Sequence, residues 1–383
     1  SKEIKDEVHI QRLKSAGAIA IGKTNTPELG LVPFTDNEVF GTTRNPWNLE
    51  RTPGGSSGGS AAALASGMIS MATASDGGGS IRIPACYTGL FGFKPSYGRV
   101  PIGPRETDYW LDTVCYGPLT RSVRDAAIML DVMAGPAAID RNSLPAIDYS
   151  YRDHLEDPIP RLRIAFNRTL GVTRVQSDVM REVEAAVDTF RSMGHEVEEN
   201  DDRIPEIGGY WRKIGAFNHL SQQWSKYAQE GNRFGAIASA AFPYGFRTDA
   251  EDFSHFVQIR QTLISWTAEI FSSYDLLLTP TLPTEAFQDT AISASVTRTF
   301  LDIHRDSDGH FEFMSPYSIS YLNASPSQSS VIVSKFSNPG GLEVSPAGYR
   351  DIRANEFSVY NAINYRNLSV IKPSQGPSGS VSE

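Results

Sequence analysis

Only two cysteines, Cys86 and Cys115, occur in 383 residues, which excludes a disulfide scaffold and reads most simply as a thiol-bearing intracellular protein, with pairing of the two left open for an exported form. Clustered cations are equally scarce. The 35 Lys and Arg stand against 44 Asp and Glu, a formal net charge of −9, so nothing is available to neutralise nucleic-acid phosphates or an anionic bilayer. No apolar run has spanning length, and residues 1–20 lack the basic, apolar and small-residue sections of a signal peptide. The expectation is a cytoplasmic protein with neither nucleic acid nor membrane as partner. What remains is ordinary globular composition, 40% hydrophobic and 21% charged, enough for a sizeable core in one α/β domain.

Along the chain, Ile4, Val8, Ile10, Gln11 and Leu13 fall at helical spacing up to Gly17, after which AIAIG, residues 18–22, has the length and apolarity of a strand. This opening reads as a helix running into a strand, with no sign of a domain's natural entry. Residues 25–55 carry proline, asparagine and glycine throughout and read as a long irregular surface segment, a kind commonly functional. A helix is expected over residues 61–67, a buried strand over MISMATAS (68–75) and a return to loop through DGGGSIRIPA (76–85). Over residues 122–133, Val123, Ala126, Ala127, Leu130 and Met133 share one helical side that ends at Gly135-Pro136. RLRIAF then predicts a strand, residues 178–193 a helix stopped by Gly194, and HEVEE an exposed strand. Helices follow in the aromatic-rich residues 209–242 and over residues 253–272. YDLLLTPTLP reads as a buried strand in the middle of a sheet covered on both faces. A strand over residues 331–334 and a last helix in ANEFSVYNAINYRNL complete a single domain over residues 1–373, with a polar tail over 374–383.

RTPGGSSGGSAAALASG, residues 51–67, holds four glycines and three serines before its alanine run and could be a linker or the floor of a site. A linker would stay polar on both sides, whereas helix formers follow here at once. Gly54-Gly55-Ser56-Ser57-Gly58 satisfies the nucleophile-elbow pattern only formally, because NPWNLERTP cannot be the buried strand that an elbow requires. A phosphate loop is excluded by the missing Lys-Ser/Thr. Alone, the stretch is equally a structural helix entry. A second cluster, SDGGGSIRIPA, sets Gly77, Gly78 and Gly79 directly before Ser80, 24 positions after Ser56. Two glycine-flanked serines on either side of one helix-strand unit can meet. Glycines also let successive backbone N–H groups point into one cavity, as an oxyanion hole beside a nucleophile requires. Asp76 and Arg82 bracket this loop and could pin it by hydrogen bonds.

These segments resemble the amidase signature family. The resemblance runs from about residue 8 to residue 135 through GKTNTPELG, GTTRNPWNLERTPGGSSGGSAAALASG, ASDGGGSIRIPACYTGLFGFKPSYGRVP and GPLTRSVRDAAIMLD. Weaker echoes follow in RLRIAF, GHEVEE, YDLLLTPTLP and the final helix, and the chain looks like the branch with aryl- and cyclic-amide hydrolases, nylon-oligomer hydrolases among them. The resemblance implies an α/β fold with a mixed central β-sheet covered by helices on both faces. It further implies cleavage of a small-molecule amide through an acyl-enzyme by a Ser-Ser-Lys triad, with no metal and no organic cofactor, and it leaves room for a homodimer. Ser80 matches the nucleophile and Ser56 the bridging serine that follows a cis peptide bond, here Gly55–Ser56. Gly77, Gly78 and Gly79 with the Ser80 amide match the oxyanion-binding groups, and Ser57, Asp76 and Arg82 read as support. Tyr109 and Trp110, on the loop after GRVP, are the substrate-pocket candidates. The C-terminal third departs from the family pattern at YLNASPSQSSV and GLEVSPAGYR, so the resemblance leaves pocket shape and substrate open.

A serine hydroxyl needs a base, which in this family is a desolvated neutral lysine relayed through the bridging serine. That lysine belongs to a segment upstream of GKTN. The expectation is therefore that the catalytic lysine is not in this chain, and that the chain as it stands is impaired. Lys23 and Lys94 match other family positions and read as a strand-end lysine and a loop lysine contacting backbone. HRDSDGH, residues 304–310, has ligand residue types without a metal signature. Cys86 and Cys115 lack a neighbouring His or Lys in sequence and read as core, as do Trp211, Phe217, Trp224 and Tyr227. Two other classes stay open: a truncated or degenerate non-catalytic amidase homologue serving as a binding or scaffold module, and an acyltransferase that uses the same intermediate.

Overall fold

Two three-stranded sheets, each held between helices, carry the structure. The computed structural model describes residues 5–288 apart from residues 105–109, 111–112, 149, 173 and 207. Helix α1 (Val8–Ser15) comes first, and strands β1 (Asp36–Asn37) and β2 (Gly41–Thr42) form a small antiparallel ribbon. Helix α2 (Gly58–Ala65), strand β3 (Met71–Asp76), helix α3 (Arg82–Thr88) and strands β4 (Phe91–Gly92) and β5 (Cys115–Thr120) lead to helix α4 (Val123–Met133). Strands β3 and β4 both pair antiparallel with β5. Strand β6 (Arg163–Phe166), helix α5 (Ser177–Ser192) and strand β7 (Glu196–Glu199) begin the second unit. Helices α6 (Gly208–Ser221), α7 (Trp224–Glu230), α8 (Ala236–Phe246) and α9 (Ala250–Ser273) and strand β8 (Leu276–Leu278) follow. Both β7 and β8 run parallel to β6, in the order β7-β6-β8.

Alternation along β6 explains the layering, because successive side chains of a strand point to opposite faces. Ile164 and Phe166, with Leu276 and Leu278, are buried against Val183, Ala186, Val187 and Phe190 of α5. Ala165 and Leu277 pack on the other face against Trp211 and Ile214 of α6 and Phe256, Leu263 and Ile270 of α9. The antiparallel sheet is covered in the same way. Val123, Leu130 and Met133 of α4 pack with Phe91, while Leu64, Ile81 and Ala85 pack with Ala74 and Leu119. The expected α/β architecture with helices on both faces is present, its described strands divided between two sheets. Helix α4 starts where its sequence predicts, with Ser122 Oγ accepting the Asp125 N–H at 3.1 Å.

Several local expectations change. Residues 18–22 form no strand among the described residues, and Ile19 and Ile21 are 87% and 77% exposed; an apolar run of strand length becomes a strand only beside a partner that takes its backbone hydrogen bonds. Residues 25–55 are a surface segment only in part: Val39, Phe40, Trp47 and Leu49 are exposed, whereas Val32, Phe34, Thr35, Asn45 and Thr52 are buried. Asparagine side chains there replace a ladder: Asn37 Oδ1 accepts the N–H of Val39 and Phe40, and Asn45 Nδ2 donates to the Tyr87 carbonyl. Helix α3 occupies residues expected as loop, and its Pro84 falls in the first turn, where a missing N–H forfeits no intrahelical bond. Strand β8 is fully buried but ends the described sheet, whose middle strand is β6. The strand over 331–334, the last helix, the 304–310 segment, the domain end at 373 and the tail over 374–383 lie outside the described residues.

Phe190 is 1% exposed in the α5–β6 layer, whereas Met193 beyond the helix end is 37% exposed. Phe190→Ala is expected to lower the unfolding free energy by about 3–5 kcal/mol, and Met193→Ala by less than about 0.5 kcal/mol, in urea denaturation. Equal losses would contradict this packing.

Candidate active site

Strand β3 delivers Asp76 to the turn into α3, and the carboxylate folds the intervening loop around itself. Oδ1 accepts the Gly79 N–H at 2.7 Å, and Oδ2 accepts the N–H groups of Ile81 and Arg82 at 3.2 and 3.4 Å. The Arg82 guanidinium donates to both oxygens, each at 2.8 Å. Asp76 is fully buried and Arg82 nearly so. Burial alone would raise the Asp76 pKa. The charge and hydrogen bonds of Arg82, with smaller contributions from Lys94 and the Gly79 N–H, outweigh it and hold the carboxyl down to about 2.

The second serine loop reaches the same place by close backbone packing. A Cβ on Gly55 would lie 2.7 Å from the backbone N and O of Phe34, and one on Gly59 would lie 2.5 and 2.4 Å from the N and O of Asn25. Only glycine fits at these two approaches. Thr35 Oγ1 donates to the Gly54 carbonyl at 2.9 Å and the Gly59 N–H to the Asn25 carbonyl at 3.2 Å. The Gly55–Ser56 peptide bond is cis. The Ser57 N–H donates to the Ser80 carbonyl at 3.3 Å, which ties the two loops together, and Ser57 Oγ donates to the Ser75 carbonyl at 3.4 Å.

Ser56 and Ser80 line a single cavity of about 230 Å³, together with Ser75, Gly77 and Gly78. Leu29 to Pro33, Ile83, Trp110, Val114, Trp211 and His219 complete its described wall. Gly79 is not on that wall, and its N–H is given to Asp76. Of the four groups expected to bind the oxyanion, Gly77, Gly78 and Ser80 are thus on the cavity wall. Trp110 lines the cavity, while Tyr109 lies outside the described residues. Trp211 is buried as expected of a core residue, yet it also forms cavity wall, as does His219. Neither belongs to a motif. Their eight-residue spacing, which sets both on one face of α6, is the available signal. Phe217 and Trp224 are 42% and 46% exposed, which corrects their reading as core; Tyr227 is partly buried against Phe242.

Lys23 is exposed, and Lys94 Nζ donates to the Pro95 carbonyl at 3.4 Å; neither lines the cavity. Cys115 is buried and burial pushes its thiol pKa up, the wrong direction for a nucleophile. Cys86 is half-buried and packs at the edge of the Ile83–Tyr87 cluster.

Because the folded-state pKa of Asp76 lies below its ordinary value, the native protein keeps the carboxylate ionised at acidities where the unfolded chain protonates it. The resulting stabilisation, on the order of 2 kcal/mol for a displacement of this size, is complete above about pH 4 and lost as the pH falls to about 2. Urea denaturation across that window is expected to show this slope in the wild type and not in Asp76→Asn. The variant is also expected to be about 3–5 kcal/mol less stable near neutral pH, since Arg82 keeps a buried charge without its partner. Identical slopes would contradict the assignment.

Residues 2–304 match the family described as Amidase. A glutamyl-tRNA(Gln) amidotransferase component from Roseiflexus castenholzii is 46% identical over 195 residues, which are 50% of this chain and 39% of that relative. AmiB2 of Mycobacterium tuberculosis, which carries an amidase name, is 42% identical over 199 residues, 51% of this chain and 41% of the relative. The chain thus spans about two fifths of the length of these curated relatives. Among solved structures, a bacterial aryl acylamidase of the amidase signature family aligns with a TM-score of 0.71 at 29% identity, covering 75% of this chain and 61% of the other. A 6-aminohexanoate cyclic dimer hydrolase aligns with a TM-score of 0.69 at 26% identity, covering 82% and 67%. On the match over residues 2–304, together with these structural likenesses, the chain belongs to the amidase family, the amidase signature enzymes.

Proposed function

We propose that this site cleaves the C–N bond of a small-molecule carboxamide through an acyl-enzyme, with Ser80 as nucleophile and Ser56 as proton relay. The observation that carries this reading is the convergence of Ser56 and Ser80, from two separate glycine-rich loops, on one cavity wall with Gly77 and Gly78. Ser80 Oγ attacks the amide carbonyl carbon. As the C–O bond forms, the carbonyl π pair moves onto oxygen, where the N–H groups of Gly77, Gly78 and Ser80 hold it; one such donor contributes about 10²–10³-fold in rate. The Ser80 proton passes to Ser56 Oγ while the Ser56 proton leaves to a base, which returns it to the departing nitrogen as the C–N bond breaks. Water then repeats the sequence on the ester and restores Ser80. The base is the lysine that the family resemblance implies upstream of GKTN; Lys23 and Lys94 do not line the cavity. Ser57 acts at one remove, through its bond to the Ser80 carbonyl.

Cys86 and Cys115 are not joined in a disulfide, in accord with a cytoplasmic setting. No helix among the described residues is long and apolar enough to cross a membrane.

Intact-mass spectrometry after treatment with a fluorophosphonate tests the assignment. With the base lysine present, a single adduct is expected on the wild type, none on Ser80→Ala, and a reduced but measurable yield on Ser57→Ala. Equal and complete loss in both variants would mean that nucleophile and support are interchanged.

A further inference from the structure

One wall of the cavity is held in a strained shape by helices of the parallel-sheet unit. Leu29 and Gly30, both on that wall, take left-handed backbone in succession, with φ +55° and +68°. Glycine adopts this region freely, whereas a leucine does so only where its surroundings hold it. The holding contacts come from α6 and α8. His219 Nε2–H donates to the Leu29 carbonyl at 2.8 Å, and the Gly235 N–H, at the entry to α8, donates to Glu28 Oε2 at 2.9 Å. The side chains of Leu29 and Leu31 pack beside Ala216, Leu220 and Phe242 of the same two helices.

The other side of this turn meets the relay serine. A Cβ on Gly30 would lie 3.6 Å from Ser56 Oγ and 3.8 Å from Ser56 Cβ, so the backbone of the turn is the immediate neighbour of that hydroxyl. Further on, Thr35 Oγ1 donates to the Gly54 carbonyl at 2.9 Å, which keeps the segment alongside the Ser56 loop. Residues 29–35 are therefore clamped between α6 and the bridging serine. The His219 imidazole also lies on the Trp110 indole, with ring centres 5.7 Å apart, and this stacking orients the ring whose Nε2 meets Leu29. A proton relay depends on such support. Its hydroxyl must stand within about 2.6–3.2 Å of its partners for the proton to pass, and a misplacement of about 1 Å costs on the order of 10²-fold in rate.

We propose that His219 is a positioning residue for the Ser56 relay: by holding the Leu29 carbonyl it fixes the Leu29–Gly30 turn, and the turn fixes the Ser56 hydroxyl. This inference rests on the amide-cleaving reading above and adds to it a residue from outside both serine loops. The donor, not the ring, is the active feature.

The test is the kinetics of fluorophosphonate labelling of the protein with its base lysine present, on the wild type, His219→Phe and His219→Gln, with the saturating rate and the half-saturating reagent concentration read separately. Phenylalanine keeps a ring against Trp110 and removes the donor. Glutamine removes the ring and keeps an N–H long enough to reach the carbonyl. His219→Phe is expected to label Ser80 about 10–100-fold more slowly at saturation, with an unchanged half-saturating concentration. His219→Gln is expected to return to within about threefold of the wild type. Hydrogen exchange at the Gly30 and Leu31 amides, which close the turn onto the Pro27 and Glu28 carbonyls, is expected to quicken in His219→Phe and to stay slow in His219→Gln. An unchanged rate or unchanged exchange in His219→Phe, a loss in His219→Gln as large as in His219→Phe, or an effect confined to the half-saturating concentration would overturn the proposal. Should His219→Phe not fold, His219→Asn, whose amide stops short of Leu29, takes its place with the same expectations. The two readouts also separate the readings. A wild type that gives no adduct at Ser80 sinks the catalytic reading, and exchange then decides the tether alone, while an adduct whose rate and turn are indifferent to residue 219 keeps the catalytic reading and removes the tether.

Discussion

The buried carboxylate of Asp76 is the constraint on which the site depends. A charge withdrawn from water this completely survives only if its lone pairs are met. Asp76 meets them with one guanidinium and three backbone N–H groups drawn from the next six residues. That demand curls the chain tightly between β3 and α3 and leaves Gly77, Gly78 and Ser80 on the cavity side of the curl while Gly79 turns inward. The electrostatics and the geometry are thus one device, since the ion pair that makes burial tolerable also shapes the loop that presents the serine.

The other walls are set by steric constraint. The Ser56 loop lies against the backbones of Phe34 and Asn25 at distances that no side chain at Gly55 or Gly59 would permit, and its bond from Ser57 to the Ser80 carbonyl couples it to the Asp76 curl. Helix α6 approaches from the parallel-sheet unit, anchored by Trp211 and Ile214 under Ala165 and Leu277. Trp110 bridges from that helix to Gly77. The cavity therefore lies where the two sheet units face each other, with the serine loops supplied by one and the aromatic wall largely by the other.

What is legible in the sequence follows from this division. Ser56, Ser80 and the glycines around them belong to chain-local patterns, and the amphipathic run of α4 and the alternation of β6 report which faces are buried, so these can be read directly. Gly79 cannot be separated from Gly77 and Gly78, because the difference is which N–H the Asp76 carboxylate captures. Trp211 reads as core and His219 carries no local pattern, since their place on the wall depends on how α6 packs across a sheet far away in sequence. Residues 18–22 look like a strand by composition alone, but strand formation is a property of pairs, and no described neighbour completes the pair. The buried positions within residues 25–55 are hidden because no strand or helix periodicity marks them; Asn45, for one, is held by its bond to the Tyr87 carbonyl rather than by a ladder.

The central claim is that these two loops form one catalytic unit in which Ser80 attacks and the turn before it receives the developing charge. A crystal structure of the protein with its base lysine present, after reaction with a phenyl fluorophosphonate, tests it most directly. The account predicts phosphorus bonded to Ser80 Oγ, its terminal oxygen within hydrogen-bond reach of the Gly77, Gly78 or Ser80 N–H, and Ser56 Oγ adjacent to the adduct. Phosphorus on Ser56 or Ser57, or a terminal oxygen turned away from those N–H groups, would contradict it.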